Sequence, residues 1–185
     1  MHQMSHGYID FKGKRDRLGF DYWVSSRNLT LIQREYGRRN PKNFAGYSQN
    51  IWGLSACDIP TGYGAQGFPS WGGDIGTVAA PAAVASVLFT PQESMAAAEA
   101  FLAQYPQAYG RYGFSSGISP KDKWHSDDAI GIDQGQLMVC IESARDGLPQ
   151  KLFMSHPIVK KGLQRAGLRK TQEGAAETRA LQKIR

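Results

Sequence analysis

The chain has 185 residues, 41% hydrophobic and 21% charged, with four Trp, eight Tyr and eight Phe. This composition excludes a disordered chain, a collagen and a coiled coil. The net charge is +6, but residues 160–185 hold eight Lys/Arg against two Asp/Glu, so residues 1–159 are neutral and carry no basic footprint for nucleic acid.

The start, MHQMSHGYID, has no apolar core of the kind a signal peptide needs. His2 and His6 are four apart, which places both rings on one helical face; no third ligand lies nearby, so no metal site is expected. From Asp21 to about Arg38 the apolar positions 22, 29, 32 and 36 keep helical spacing, and Gly37 and Asn40-Pro41 stop the run. Residues 46–77 hold eight Gly together with Tyr47, Trp52, Tyr63, Phe68 and Trp71, and read as a long aromatic loop. Pro81–Phe89 reads as a short, buried, Ala-rich helix.

Thr90-Pro91-Gln92-Glu93 has the form of a capping box with Pro at the first helical position. Met95, Ala98, Leu102 and Tyr105 follow as its predicted inner stripe, up to Pro106. Residues 109–135 form a second loop with five Gly, Tyr109, Tyr112, Phe114 and Trp124. A helix is predicted over 132–145, with Leu137, Cys140, Ile141 and Ala144 inward and Gly147 to end it. The last helix opens at Pro157, and Gly167-Leu168 fits a Schellman ending. No apolar run approaches the ~20 residues of a membrane span. The expected class is all-α, with a domain over residues 1–168 and a basic tail over 169–185. Cys57 and Cys140 both sit in apolar stretches and read as core residues; spacing alone does not decide whether they pair.

Aromatic faces beside carboxylates and amides suit a carbohydrate, whose C–H face stacks on rings and whose hydroxyls need donors and acceptors. Glycoside hydrolysis takes two carboxyl groups. Neither a phosphate-binding G-x-x-x-x-G-K-[ST] loop nor a G-x-S-x-G nucleophile turn occurs. Among the carboxylates, Asp133 stands where a loop enters a helix and Asp58 follows the Trp52-Gly-Leu-Ser-Ala-Cys run; each could equally serve a helix end or turn. Glu142 has Arg145 at i+3, Asp127 and Asp128 read as a solvated turn, Asp10 lies in an amphipathic stretch, and Glu93 and Glu99 face outward on their helix.

Tyr-Ser-Gln-Asn-Ile-Trp-Gly-Leu-Ser-Ala-Cys-Asp (47–58), Gly-Tyr-Gly-Ala-Gln-Gly (62–67), Gly-Thr-Val-Ala-Ala-Pro-Ala-Ala (76–83), Phe-Thr-Pro-Gln-Glu (89–93), Tyr-Gly-Phe (112–114), Ile-Gly-Ile-Asp-Gln-Gly (130–135) and Phe-Met-Ser-His-Pro (153–157) occur in that order, after an opening His-Gln-Met-Ser-His-Gly-Tyr-Ile-Asp (2–10). Together they resemble the glycoamylase-like domain of bacterial endo-β-1,2-glucanases and cyclic β-1,2-glucan synthases, over residues 2–168. The resemblance implies an (α/α)6 toroid of which this chain is the C-terminal half, so that Met1 is internal to a longer gene or the remnant of a truncated one. The parent protein would be periplasmic or exported. It also implies exposed apolar toroid edges that favour self-association, a β-glucan or oligosaccharide as the partner, and no cofactor.

By that resemblance Asp133 and Asp58 are the candidate catalytic carboxylates, with further acids expected upstream. His6, Asn50, Trp52, Tyr63, Trp124 and Gln134 are the candidate sugar contacts. The chain departs from the family pattern at Gln136, where Pro is usual, and at Ser143, where Asn is usual. It departs again at Ser115-Ser116-Gly117-Ile118, where an Asp usually follows Tyr-Gly-Phe. Two functions are therefore expected: a β-glucan hydrolase using carboxylate acid/base chemistry, or a sugar-binding remnant without a competent acid pair.

Overall fold

A computed structural model of the chain describes residues 2–67 and 73–171. Phe68, Trp71 and the tail beyond 171 lie outside the described residues. Seven α-helices carry the described fold: α1 (Gln3–Tyr8), α2 (Tyr22–Arg39), α3 (Ala80–Ala85), α4 (Pro91–Gln104), α5 (Gly131–Arg145), α6 (Leu148–Ser155) and α7 (Pro157–Ala166). Eight short strands make four antiparallel pairs: β1 (Lys14–Arg15) with β8 (Arg169–Lys170), β2 (Ala56–Ile59) with β3 (Gly62–Ala65), β4 (Tyr109–Gly110) with β5 (Gly113–Phe114), and β6 (Ile118–Ser119) with β7 (Trp124–His125). The class is all-α, and the hairpins are decorations of its loops.

Local chemistry explains the helix ends. Asp21 caps α2, its side chain accepting the Val24 N–H at 2.9 Å. Asn40 closes α2 in the left-handed conformation. At the end of α7, Gly167 N–H bonds to the Gln164 carbonyl and Leu168 N–H to the Leu163 carbonyl, which is the expected Schellman pairing. The expected capping box at Thr90 does not form: its hydroxyl turns back to the Ser86 carbonyl and to Ser94 Oγ instead. Gly147 takes the left-handed conformation between α5 and α6, so one glycine both ends the first helix and admits the second. The chain beyond Leu168 continues into the β1–β8 pair, and Thr171 N–H donates to the Gly13 carbonyl.

The core is built around α3, with α4 and α5 packed on it. Ala80, Ala83 and Ala85 are fully buried, and so are Ala97 and Phe101 of α4 and Cys140 of α5. The inner stripes are shifted from those expected. On α4 the buried residues are Ser94, Ala97 and Phe101, while Met95 and Leu102 face outward. On α5 they are Leu137, Cys140 and Ser143, while Ile141 faces outward. Small side chains face inward because α1, α3 and α5 approach closely: a Cβ on Gly7 would lie 2.7 Å from Val139 Cγ1, and Ser143 Oγ donates to the Gly7 carbonyl at 2.7 Å.

The stretch over 47–54 folds inward rather than standing on the surface, with Tyr47, Ile51, Trp52 and Leu54 buried. Gly53 makes this possible, with φ +127 and no room for a Cβ, which would lie 2.6 Å from the Ala79 carbonyl oxygen. Asp74 pins the loop from its far end, accepting from the hydroxyls of Tyr36 and Tyr47 at 2.7 Å each and from Gly76 N–H at 3.0 Å. Cys57 and Cys140 are both free and buried.

Two stability outcomes follow. Phe101→Ala removes a fully buried ring and should cost about 3–5 kcal/mol in urea unfolding. His6 is buried, its Nδ1 has no hydrogen-bond partner, and burial lowers its pKa from 6.5 to about 4. The folded state therefore resists a proton that the unfolded state accepts. The stabilisation is complete above about pH 6.5 and is lost as pH falls from there towards 4, by on the order of 2–3 kcal/mol. The drop in unfolding midpoint between pH 7.5 and 4.5 should be smaller in His6→Gln than in the wild type.

Candidate active site

Two carboxylates far apart in sequence meet through one hydroxyl. Asp58 sits in β2, and Asp133 in the first turn of α5, whose N-terminal partial charge favours an anion. Asp133 does not cap the helix; Ile130 stands at the cap without a side-chain bond. Instead Asp133 Oδ2 accepts from Ser116 Oγ at 3.0 Å, and the same Ser116 oxygen accepts the Asp58 backbone N–H at 3.2 Å. Asp58 Oδ2 accepts from Ser126 Oγ at 2.6 Å. Both serines are buried.

The hairpins hold this arrangement. Ile118 pairs with His125 across β6 and β7, and its backbone also bonds to Val78 in both directions, at 2.8 and 2.9 Å. That ties the hairpin to the strand leading into α3. Gly117 lets β2 and β6 touch, since a Cβ there would overlap the Asp58 carbonyl oxygen. Ser126 N–H donates to the Gly117 carbonyl at 2.9 Å, and Ser116 N–H to the Asp128 carbonyl at 3.2 Å.

Burial raises the Asp133 carboxyl above its ordinary range; the Ser116 bond opposes this and the Asp58 charge adds to it. A half-buried carboxyl shifted in this direction holds a proton more readily than a free one, which is the direction a proton donor needs. The neighbours respond to the same charges. The Cys57 thiol is pushed up to about 12 by burial, then by Asp133 and Asp58. The Tyr63 phenol is raised by burial first, then by Asp133.

Tyr63 stands opposite Asp58 in the β2–β3 ladder and is 57% exposed, an aromatic face beside both acids. A cavity of about 10 Å³, roughly one water, touches Asp133 together with Ser55, Ala79 and Gln136. A larger groove of about 230 Å³ is lined by Arg111, Tyr112, Ser115, His125, Ser126 and Asp128. It adjoins an apolar groove of about 610 Å³ that shares Arg111 and Tyr112 and adds Tyr109, Phe114, Gln134 and Met138.

The other expected contacts divide. Gln134 lines the apolar groove, where its Nε2 donates to the Phe114 carbonyl at 2.6 Å. Trp124 is half-buried in β7, beside the His125 that lines the polar groove. Asn50 is half-buried in the turn where its own N–H bonds Ser48 Oγ; no hydrogen bond links it to either acid. Trp52 is 1% exposed and belongs to the core, so it offers no face to a sugar. His6 is buried between Phe11 and Phe89, with Nε2 3.0 Å from Ser26 Oγ. It borders a separate cavity of about 520 Å³ with His2, Tyr22 and Leu163, which shares no lining residue with the grooves beside the acids. The two departures have different causes: Gly53 lets the loop carry Trp52 inward, whereas His6 is buried because α1 packs against α5.

Ser126 and Arg111 are unmarked in the sequence, Asp128 reads there as part of a solvated turn, and Ser116 stands out only as a departure from the family pattern. The one available signal was Gly117, a glycine directly after two small hydroxyl residues. Among the described residues no group of three His, Cys, Asp or Glu side chains could hold a metal ion, and no helix is long and apolar enough to cross a membrane.

Residues 1–157 match the family model described as "Glycoamylase: Putative glucoamylase". The chain belongs to the glycoamylase family. A crystal structure of a "putative glucoamylase" from Bacteroides caccae is 35% identical and superposes with a TM-score of 0.87, over 92% of this glycoamylase chain and 41% of its own. The endo-β-1,2-glucanase from Chitinophaga pinensis, solved with sophorotriose and glucose, is 35% identical with a TM-score of 0.82, over 89% of this chain and 39% of its own. The exo β-1,2-glucooligosaccharide sophorohydrolase (non-reducing end) of Parabacteroides distasonis is 34% identical over 146 residues, 78% of this chain and 20% of that protein. The glycoamylase chain thus spans a fifth of this curated relative and about two fifths of these solved structures.

Gly117→Ala should force β6 away from β2 and part Ser116 from Asp58. Overpacking of this kind costs typically 1–3 kcal/mol. The expected result is a lowered urea midpoint together with loss of whatever sugar affinity the wild type shows.

Proposed function

We propose that this chain carries part of the active site of a β-glucan hydrolase whose substrate is β-1,2-linked glucose. The observation that carries the proposal is the meeting of Asp58 and Asp133 at Ser116, beside an exposed tyrosine, with Ser126 (bonded to Asp58) and Gln134 (next to Asp133) lining two contiguous grooves. The substrate class comes from the relatives, two of which are named for β-1,2-glucan or β-1,2-glucooligosaccharide hydrolysis.

In this reading Asp133, the carboxyl raised by burial, protonates the glycosidic oxygen as the bond to C1 breaks. The Asp58 carboxylate takes a proton from the water that attacks C1. Tyr63 and Tyr112 offer rings to the C–H faces of the sugars, and Arg111, Gln134, His125 and Asp128 meet their hydroxyls. Trp124 and Asn50 would act at the margin.

The same reading makes residues 1–168 the C-terminal half of an (α/α)6 toroid, with 169–185 as a basic extension. Two facts support it. The solved relatives hold more than half their length outside the match. Large apolar side chains also face outward on several helices: Val24 and Ile32 on α2, Met95 and Leu102 on α4, Met138 and Ile141 on α5. In the toroid, further helices would cover these faces; alone, the chain would self-associate through them.

One observation favours a second reading, a sugar-binding module without hydrolysis. Ser115, not a carboxylate, faces the polar groove directly after Tyr-Gly-Phe.

Product analysis after incubating the purified chain with linear β-1,2-glucan separates the two. The expected outcome is shorter oligosaccharides, with Asp133→Asn and Asp58→Asn each lowering the rate about 10²–10⁴-fold. Intact glucan that still binds the folded chain supports the binding module, and a chain that neither binds nor cleaves it ends both readings.

A further inference from the structure

A serine hydroxyl has one proton to give, and at this site the structure fixes where each goes. Ser116 Oγ receives the Asp58 N–H, so its own proton points to Asp133 Oδ2. Ser126 Oγ receives the Asp128 N–H at 3.0 Å, so its proton points to Asp58 Oδ2. An oxygen that accepts a hydrogen bond becomes the stronger donor. The backbone that carries each serine is held as well: Ser116 N–H donates to the Asp128 carbonyl and Ser126 N–H to the Gly117 carbonyl. Both acids are thus gripped by Oδ2, and among the described residues no hydrogen bond reaches either Oδ1.

We propose that Ser116 is a positioning residue for Asp133, holding Oδ2 so that Oδ1 is presented to the sugar, and that Ser126 does the same for Asp58. The proposal rests on the reading of Asp133 and Asp58 as carboxylates of the sugar site. It adds that their aim is set by two hydroxyls rather than by cations: among the described residues neither acid is ion-paired to Lys, Arg or His. The groups that face Asp133 are the Asp58 carboxylate and Cys57 thiol from β2, the Tyr63 phenol from β3, the Ser116 hydroxyl, and the N-terminal backbone of its own helix.

The consequence is directional. A hydrogen bond donated to the ionised carboxylate favours that form, so removing it raises the carboxyl's pKa. In Ser116→Ala, and in the near-isosteric Ser116→Cys, Asp133 should titrate about one pH unit higher than in wild type. Ser126→Ala should leave Asp133 within a few tenths of a unit of its wild-type midpoint. Carbon-detected NMR titration of side-chain carboxyls on the full chain reads this directly, and amide spectra confirm that each variant is folded.

The second readout is the pH midpoint of sophorotriose affinity by calorimetry, which should move with Asp133 in the Ser116 variants. An unmoved Asp133 midpoint in folded Ser116→Cys overturns the proposal. A moved midpoint in a chain that shows no affinity for sophorotriose keeps the Ser116–Asp133 link, removes the sugar from it, and so defeats the proposed function separately.

Discussion

The structure depends on how closely its neighbours can approach α3. This helix is six residues long and mostly alanine, and it lies at the bottom of the core. A helix with only Pro81 and Val84 reaching beyond Cβ offers little apolar area of its own; it serves by letting others come near. Phe101 from α4 and Leu137 and Cys140 from α5 fill the space beside it. The loop before it is drawn inward by Gly53, which sends Trp52 into the core. Deep packing of these loops makes them rigid enough to carry chemistry, since loops carry sites when a scaffold holds them.

The same closeness recurs at the site in polar form. Gly117 allows two hairpins to touch, and that contact places Ser116 between one strand's backbone and another helix's carboxylate. Three segments distant in the chain (the β2 strand, the turn before β6 and the first turn of α5) therefore share one hydrogen-bond network. A network in a poorly solvated place is strong when complete and costly when broken. Here it is complete at both serines, and among the described residues the second oxygen of each carboxylate accepts no hydrogen bond.

Much of this was legible beforehand, and the limits have physical reasons. α2, α4, α5 and α7 announced themselves by caps, prolines and helical spacing. Their inward faces did not: residue type pointed to Met95, Leu102 and Ile141, whereas close approach selected Ser94, Ala97 and Ser143. α6 was missed because it is only eight residues long and carries Pro149 in its first turn. The hairpins were invisible, since strands of two to four residues with glycines cannot show alternation. Of the candidate site, chemistry and resemblance select Asp58, Asp133, Tyr63 and Gln134, and the fold brings the two acids together at Ser116. Trp52 was misplaced because an aromatic in a Gly-rich stretch packs inward as readily as it stacks on a ligand, and His6 because it lies on the buried face of α1. Ser126 left no pattern and Ser116 only the glycine after it: a lone hydroxyl acquires its meaning from partners that only the fold supplies.

The buried thiols bear on a different matter, the tolerance of the fold to oxidation. Cys57 adjoins Asp58 in the strand that carries the site, and burial and the nearby negative charges push its thiol up to about 12. Cys140 is pushed up to about 12 as well, by burial. Only the thiolate reacts, and burial keeps both thiols protonated at neutral pH. Neither sulfur takes part in a bridge, and neither is exposed to an oxidant. The carboxylate strand thus keeps its shape without a disulfide to form or to lose, and the redox state of the surroundings has no handle on it.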